Sequence, residues 1–184
     1  MLELQGVSKT FGELQALNGI DLHLKRERVS GLIGPNGSGK TTLVNIITGV
    51  YSPDSGRVLL DGKDVSRASA DQITRLGVSR SFQNIRIFNR MSVLENVIAA
   101  LISQDKSGLT TLLGPAKRTG DPRVTAARQA LETVGLLERS NLSASELPLP
   151  LRRRLEIARA LACDPKVLVL DEPAGGMTPA ETAG

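Results

Sequence analysis

Tryptophan is absent from this chain, tyrosine occurs once and phenylalanine three times, so aromatics make up 2% of its 184 residues. Base-stacking platforms for single-stranded nucleic acid need a larger aromatic supply than that. The single cysteine, Cys163, cannot close an internal disulfide, which excludes a disulfide scaffold and fits a reducing compartment. The longest uninterrupted apolar stretch is Val97 to Ile102, far short of the roughly 18 residues that span a bilayer. The opening Met1-Leu2-Glu3-Leu4-Gln5 has neither the basic nor the apolar region of a secretory signal. Lys plus Arg number 23 against 19 Asp plus Glu, and the resulting +4 is too small an excess to argue nucleic-acid binding. These absences predict a soluble, intracellular protein with no nucleic-acid partner and no membrane span.

What remains is ordinary globular material, 40% hydrophobic and 23% charged. Alternating or apolar runs between Leu2 and Val29, broken by Gly12, Asn18 and Gly19, predict short antiparallel strands. Val29 to Ile33 reads as a strand leading into Gly34-Pro35-Asn36-Gly37-Ser38-Gly39-Lys40, and Thr42 to Val50 as the helix after it. Leu43, Ile46, Ile47 and Val50 share one face of that helix. Further on, the pattern predicts a strand at Arg57 to Leu60 and a helix at Ser92 to Leu101. A loop from Ser103 to Gly120 follows, then a helix opened by Asp121-Pro122, a helix from Leu151 to Cys163 and a buried strand at Val167 to Leu170. Thr178-Pro179-Ala180-Glu181 has the capping pattern of a helix start. Only three residues follow it, so the sequence reads as cut off.

Two motifs carry chemistry. Gly34 to Thr41 matches G-x-x-x-x-G-K-[ST]. Its glycines let backbone N–H groups turn around a phosphate chain, and the following helix adds its partial positive charge. Lys40 would reach the β- and γ-phosphates and the Thr41 hydroxyl would ligate Mg²⁺. In Val167-Leu168-Val169-Leu170-Asp171-Glu172 a strand ends in two carboxylates. Asp171 there would hold Mg²⁺ through water, and Glu172 would polarise an attacking water.

The phosphate loop, Gln83 in Arg80-Ser81-Phe82-Gln83-Asn84, the helix Arg153-Arg154-Leu155-Glu156-Ile157-Ala158-Arg159-Ala160-Leu161 and Asp171-Glu172-Pro173 together resemble an ABC transporter ATP-binding subunit. The wording of Phe82 to Phe88 and of Glu172 to Thr182 is similar to the longer ATPase subunit of the branched-chain amino acid uptake type. The likeness runs over essentially the whole chain, and it implies ATP and Mg²⁺ as ligands. It places Gly34, Pro35, Asn36, Gly37, Ser38, Gly39, Lys40, Thr41 and Thr42 on the nucleotide and Thr41, Gln83 and Asp171 at the metal. Gln83 and Glu172 would act on the attacking water, and Gly175 to Thr178 would form the loop that crosses to the partner of a nucleotide-sandwich dimer. Phe11 stands where the family stacks an aromatic on adenine; as a residue it reads equally as part of a hairpin core.

Two departures qualify the likeness. Where the family carries Ser and Gly residues that bind the γ-phosphate of the opposite subunit, this chain has Leu147-Pro148-Leu149-Pro150-Leu151. Pro148 and Pro150 have no N–H to donate, although Pro150 can still open a helix. The family's switch histidine and its last strands are absent, and His23, the only histidine, reads as a structural or surface residue. Arg152-Arg153-Arg154 reads as a solvated helix face, with contact to phosphate or a partner as the alternative, and Cys163 as a small core residue.

The fold expected is thus an α/β P-loop NTPase core of the ABC ATPase kind, one incomplete domain over residues 1–184 with its last strands missing. Residues 1–91 would form an N-terminal antiparallel β subdomain and the P-loop core, residues 92–150 a helical subdomain, and residues 151–184 the signature helix and carboxylate strand. The expected function is the energising ATPase subunit of an amino-acid importer, cytoplasmic and peripheral on the inner face of the membrane. It would pair with transmembrane permease subunits and a second ATPase subunit, in a heterodimer rather than a productive homodimer. Two alternatives are a nucleotide-sensing ABC module with little turnover, favoured by Pro148 and Pro150, and a soluble ABC ATPase, disfavoured by the lack of a coiled-coil insertion or basic arm. A P-loop small-molecule kinase fits less well, because it has no need of the Arg153–Leu161 helix.

Overall fold

A computed structural model describes residues 1–26, 28–81, 87–104 and 121–171, the side chains of 103 and 104 excepted. Two compact units divide at Val78 and Ser79.

In the first unit, strands β1 (Leu2–Phe11) and β2 (Leu14–Leu24) form an antiparallel hairpin that pairs Leu2 with Leu24 and Leu4 with Leu22. Strands β3 (Ser55–Leu60) and β4 (Lys63–Asp64) complete a sheet of order β2-β1-β3-β4. Alternation puts Leu2, Leu4, Val58 and Leu60 in the core, where each is almost fully buried. Where β1 passes β3 the backbones approach so closely that a Cβ on Gly56 would lie 2.4 Å from the Gly6 carbonyl oxygen. Only glycine fits there. Helix α1 (Lys40–Ile47) buries Leu43, Val44, Ile46 and Ile47, and helix α2 (Ala70–Arg75) opens on a Ser69/Gln72 capping box and buries Ile73.

The second unit begins within strand β5 (Val78–Ser81), which pairs with β6 (Val167–Leu170) in a two-stranded sheet. Its core joins helices α3 (Val93–Gln104), α4 (Pro122–Thr133) and α5 (Leu149–Leu161). Val93, Val97, Ala127, Leu131, Leu136, Ala144, Leu155 and Ala158 are fully buried in it. Asp121 caps α4 by accepting from the Arg123 N–H at 2.9 Å, and Pro122 follows in the first turn, as its sequence predicts.

Four expectations are corrected. No strand forms at Val29 to Ile33; Val29 and Ile33 are 103% and 95% exposed. An apolar run becomes a strand only when neighbours complete its hydrogen-bond ladder, and no strand among the described residues pairs with this one. Val50 lies beyond the end of α1 and is exposed. Strand β6 forms but is only half-buried, with Leu170 40% exposed. Of the three arginines at the start of α5, Arg152 and Arg153 are engaged within the fold rather than forming a solvated face. Arg152 donates from Nε to the Leu147 carbonyl and from Nη2 to the Ser145 carbonyl, both at 2.7 Å, and Arg153 lies 3.8 Å from the buried Glu156.

The Ser103–Gly120 loop falls largely outside the described residues, and the Thr178 helix start wholly so.

Candidate nucleotide site

Gly37 and Gly39 take left-handed φ of 81° and 86°, and Gly39 is the N-cap from which α1 departs. These two residues reverse the chain at a radius that a Cβ-bearing residue adopts only under strain. Ser38 donates its N–H to the Pro35 carbonyl at 3.3 Å, and Leu43 donates to Gly39 at 2.8 Å as the first helical bond. A Cβ on Gly34 would meet Ser38 Oγ at 2.7 Å, and one on Gly39 would meet the Ala16 carbonyl at 2.6 Å and Leu17 Cδ2 at 2.8 Å. The loop is therefore closed on itself at one end and seated against β2 at the other.

The start of α1 has no side-chain cap and no acidic residue in its first turn. No carboxylate of that first turn therefore neutralises its leading N–H groups and partial positive charge. Lys40 folds back across the loop and donates from Nζ to the Gly34 and Pro35 carbonyls at 2.8 and 2.7 Å. This places an ammonium over the same loop that presents the helix end. A concave backbone, a helix N-terminus and a lysine converge here, which is the arrangement that takes a phosphate chain.

Phe11 ends β1 in the same unit and is 41% exposed, so it is not part of the hairpin core. Its ring meets Tyr51 edge to face at 5.3 Å, and Lys9 Nζ lies 5.5 Å from its centroid. Lys9 is itself held by Asp54 at 2.6 Å, and that ion pair, with the Thr10 N–H, lowers the Asp54 pKa.

In the second unit, Asp171 stands just beyond the end of β6, where Arg80 Nη2 reaches its Oδ2 at 2.6 Å. The two side chains are 14% and 17% exposed. Arg80 belongs to the motif quoted around Gln83, yet sequence reasoning gave it no role. Gln83 and Glu172, and the Gly175–Thr178 loop, lie outside the described residues. Thr41 in the first unit carries a hydroxyl and Asp171 in the second a carboxylate, each a hard oxygen donor of the chemical kind Mg²⁺ takes. Among the described residues no group of three His, Cys, Asp or Glu forms a separate metal cage.

At the signature position Leu147 is buried, Pro148 is the N-cap of α5 and Pro150 occupies its first turn. The helix thus survives both prolines and starts at Leu149, two residues earlier than expected. Neither proline can offer an N–H. His23 sits on the surface 3.5 Å from Glu3. Cys163 is half-buried, and burial raises its thiol pKa.

This fold and loop define an ATP-binding cassette. The family model for ABC transporters matches residues 17–175, and the chain belongs to that family as an ABC-type ATPase. Among curated relatives, the high-affinity branched-chain amino acid transport ATP-binding protein LivG of Escherichia coli is 42% identical over 99% of this chain and 72% of its own length. BraF of Pseudomonas aeruginosa, of the same description, is 41% identical over 99% and 72%. Among solved structures, the ADP conformation of the ABC transporter cassette MJ1267 superposes with a TM-score of 0.85 at 34% identity, covering 99% of this chain and 72% of that one. The dimeric cassette MJ0796 gives 0.78 at 28% identity, covering 100% and 78%. No helix among the described residues is long and apolar enough to cross a membrane.

Proposed function

We propose that this chain is the ATP-binding, ATP-hydrolysing subunit that energises an ABC importer, with branched-chain amino acids as the transporter's cargo. The observation that carries the reading is the Gly34–Lys40 loop, with left-handed glycines on either side of Ser38, an uncapped helix behind them and Lys40 Nζ over the top. The cargo rests on kinship alone, since LivG and BraF are named for branched-chain amino acid transport.

Gly34 to Thr42 hold the phosphates and Phe11 stacks on the adenine. Mg²⁺ would supply charge compensation for the phosphates when bound. Thr41, Gln83 and Asp171 are the residues that would hold that ion, Asp171 through water. Lys40 exchanges its carbonyl contacts for phosphate oxygens. Glu172 accepts the proton of the attacking water and Gln83 orients that water.

Residues 1–91 act as the nucleotide-binding part and residues 92–150 as the helical part. The chain works on the cytoplasmic face of the membrane, docked on permease subunits and closed against a second ATPase subunit. Because Pro148 and Pro150 remove N–H donors from the start of α5, that partner is a different chain with an intact signature. The same observation favours one rival, a nucleotide sensor with little turnover.

Calorimetric titration of Mg-ATP into the wild type and Lys40→Ala tests the reading. Saturable binding that weakens by at least tenfold in Lys40→Ala is expected, on the scale of one charge-assisted contact of about 1.5–3 kcal/mol. Binding by neither protein would overturn it, as would equal binding by both.

A further inference from the structure

Arg80 and Asp171 are 91 residues apart in sequence and meet at the end of the two-stranded sheet. Arg80 is the penultimate residue of β5, and Asp171 directly follows β6. The segments leaving this point lead at once to the two residues assigned to the attacking water: Gln83 stands three positions after Arg80, and Glu172 one after Asp171. A mostly buried carboxylate without a counter-charge is costly, and the Arg80 guanidinium meets that need through Oδ2.

We propose that Arg80 is a positioning residue for the metal-side carboxylate. It holds Oδ2 so that the Asp171 rotamer is set and Oδ1 is presented to the hydrated cation, and it ties together the ends of β5 and β6. The inference rests on the reading of Asp171 as a metal-side group. Guanidinium suits the task because its planar, permanently charged fork restricts a carboxylate's orientation, which an ammonium does less well. Groups that orient metal-binding side chains in this way commonly change metal affinity by about 10- to 100-fold when removed.

The test measures how strongly a divalent metal and nucleotide favour each other's binding. ADP affinity is determined by calorimetry with the metal chelated and again with saturating Mn²⁺, and the ratio of the two is the coupling. For Arg80→Met the metal-free ADP affinity should stay within about twofold of wild type, while the coupling falls by about tenfold or more. Arg80→Gln, which keeps a donor without the charge, should fall less and decides the question if Arg80→Met does not fold. A coupling that stays at the wild-type value while the melting temperature drops would make the ion pair a purely structural tie and overturn the proposal. A coupling that rises would show Arg80 competing with the metal and overturn it equally. Should the wild type itself show no coupling, the assignment of Asp171 falls, and the proposal with it. A coupled wild type with unaffected variants removes Arg80 alone.

Discussion

The Asn96 side chain is wholly buried and clasps the backbone of Phe88, accepting its N–H at 2.8 Å and donating to its carbonyl at 3.0 Å. The same amide reaches the Ser92 carbonyl at 3.0 Å. One residue of α3 thereby fixes the turn that precedes the helix, which itself bridges to Ser143. Asn96→Leu keeps the volume and leaves these backbone groups without partners. A loss of about 2–4 kcal/mol is expected in urea unfolding. A loss below about 0.5 kcal/mol would mean that water replaces the amide.

The loop glycines differ in what surrounds them. At Gly39 a methyl would combine left-handed strain with contact on the Ala16 carbonyl at 2.6 Å, whereas at Gly37 nothing lies within 4 Å. Gly37→Ala should cost about 1 kcal/mol from backbone strain alone. Gly39→Ala should cost about 2 kcal/mol or more, because α1 must move away from β2 as well. Thermal unfolding of the pair checks the ordering, and equal losses would contradict it.

The Arg123 side chain, and then the Arg123 N–H, lower the Asp121 pKa. A carboxylate depressed in the folded state stabilises it fully above the unfolded value of about 3.9, and that stabilisation fades as pH falls through the folded value. Asp121→Asn keeps a capping oxygen but cannot titrate. Its stability should fall less steeply than that of the wild type below about pH 4. Parallel acid melting curves for the two proteins would show that the ion pair contributes nothing to this slope.

Pro148 and Pro150 set the limit on what α5 offers a nucleotide held by a partner. The double substitution Pro148→Ser with Pro150→Gly restores a hydroxyl at the N-cap and an N–H in the first turn. Turnover at the partner's site in the assembled dimer should rise by about tenfold, on the scale of one charge-assisted hydrogen bond. Unchanged turnover would show that the segment does not face a phosphate.

Local chemistry accounts for the features that the amino-acid sequence specifies by itself. The phosphate loop depends on glycines and a lysine at short spacing, and the α4 start depends on Asp121 and Pro122 acting on adjacent backbone groups. The hairpin of β1 and β2 follows from alternation, with Gly12 in left-handed backbone at its turn. Such features are set within a few residues, so sequence alone determined them. Tertiary structure decided the rest. Val29 to Ile33 has a strand's composition but gains no ladder partner among the described residues, and hydrogen bonds between strands are not encoded by either strand alone. Arg152 looks like solvated charge until the chain brings the Ser145 and Leu147 carbonyls within its reach. Arg80 meets Asp171, 91 positions further along the chain, only because β5 and β6 pair, and no local pattern announces a contact made by the fold.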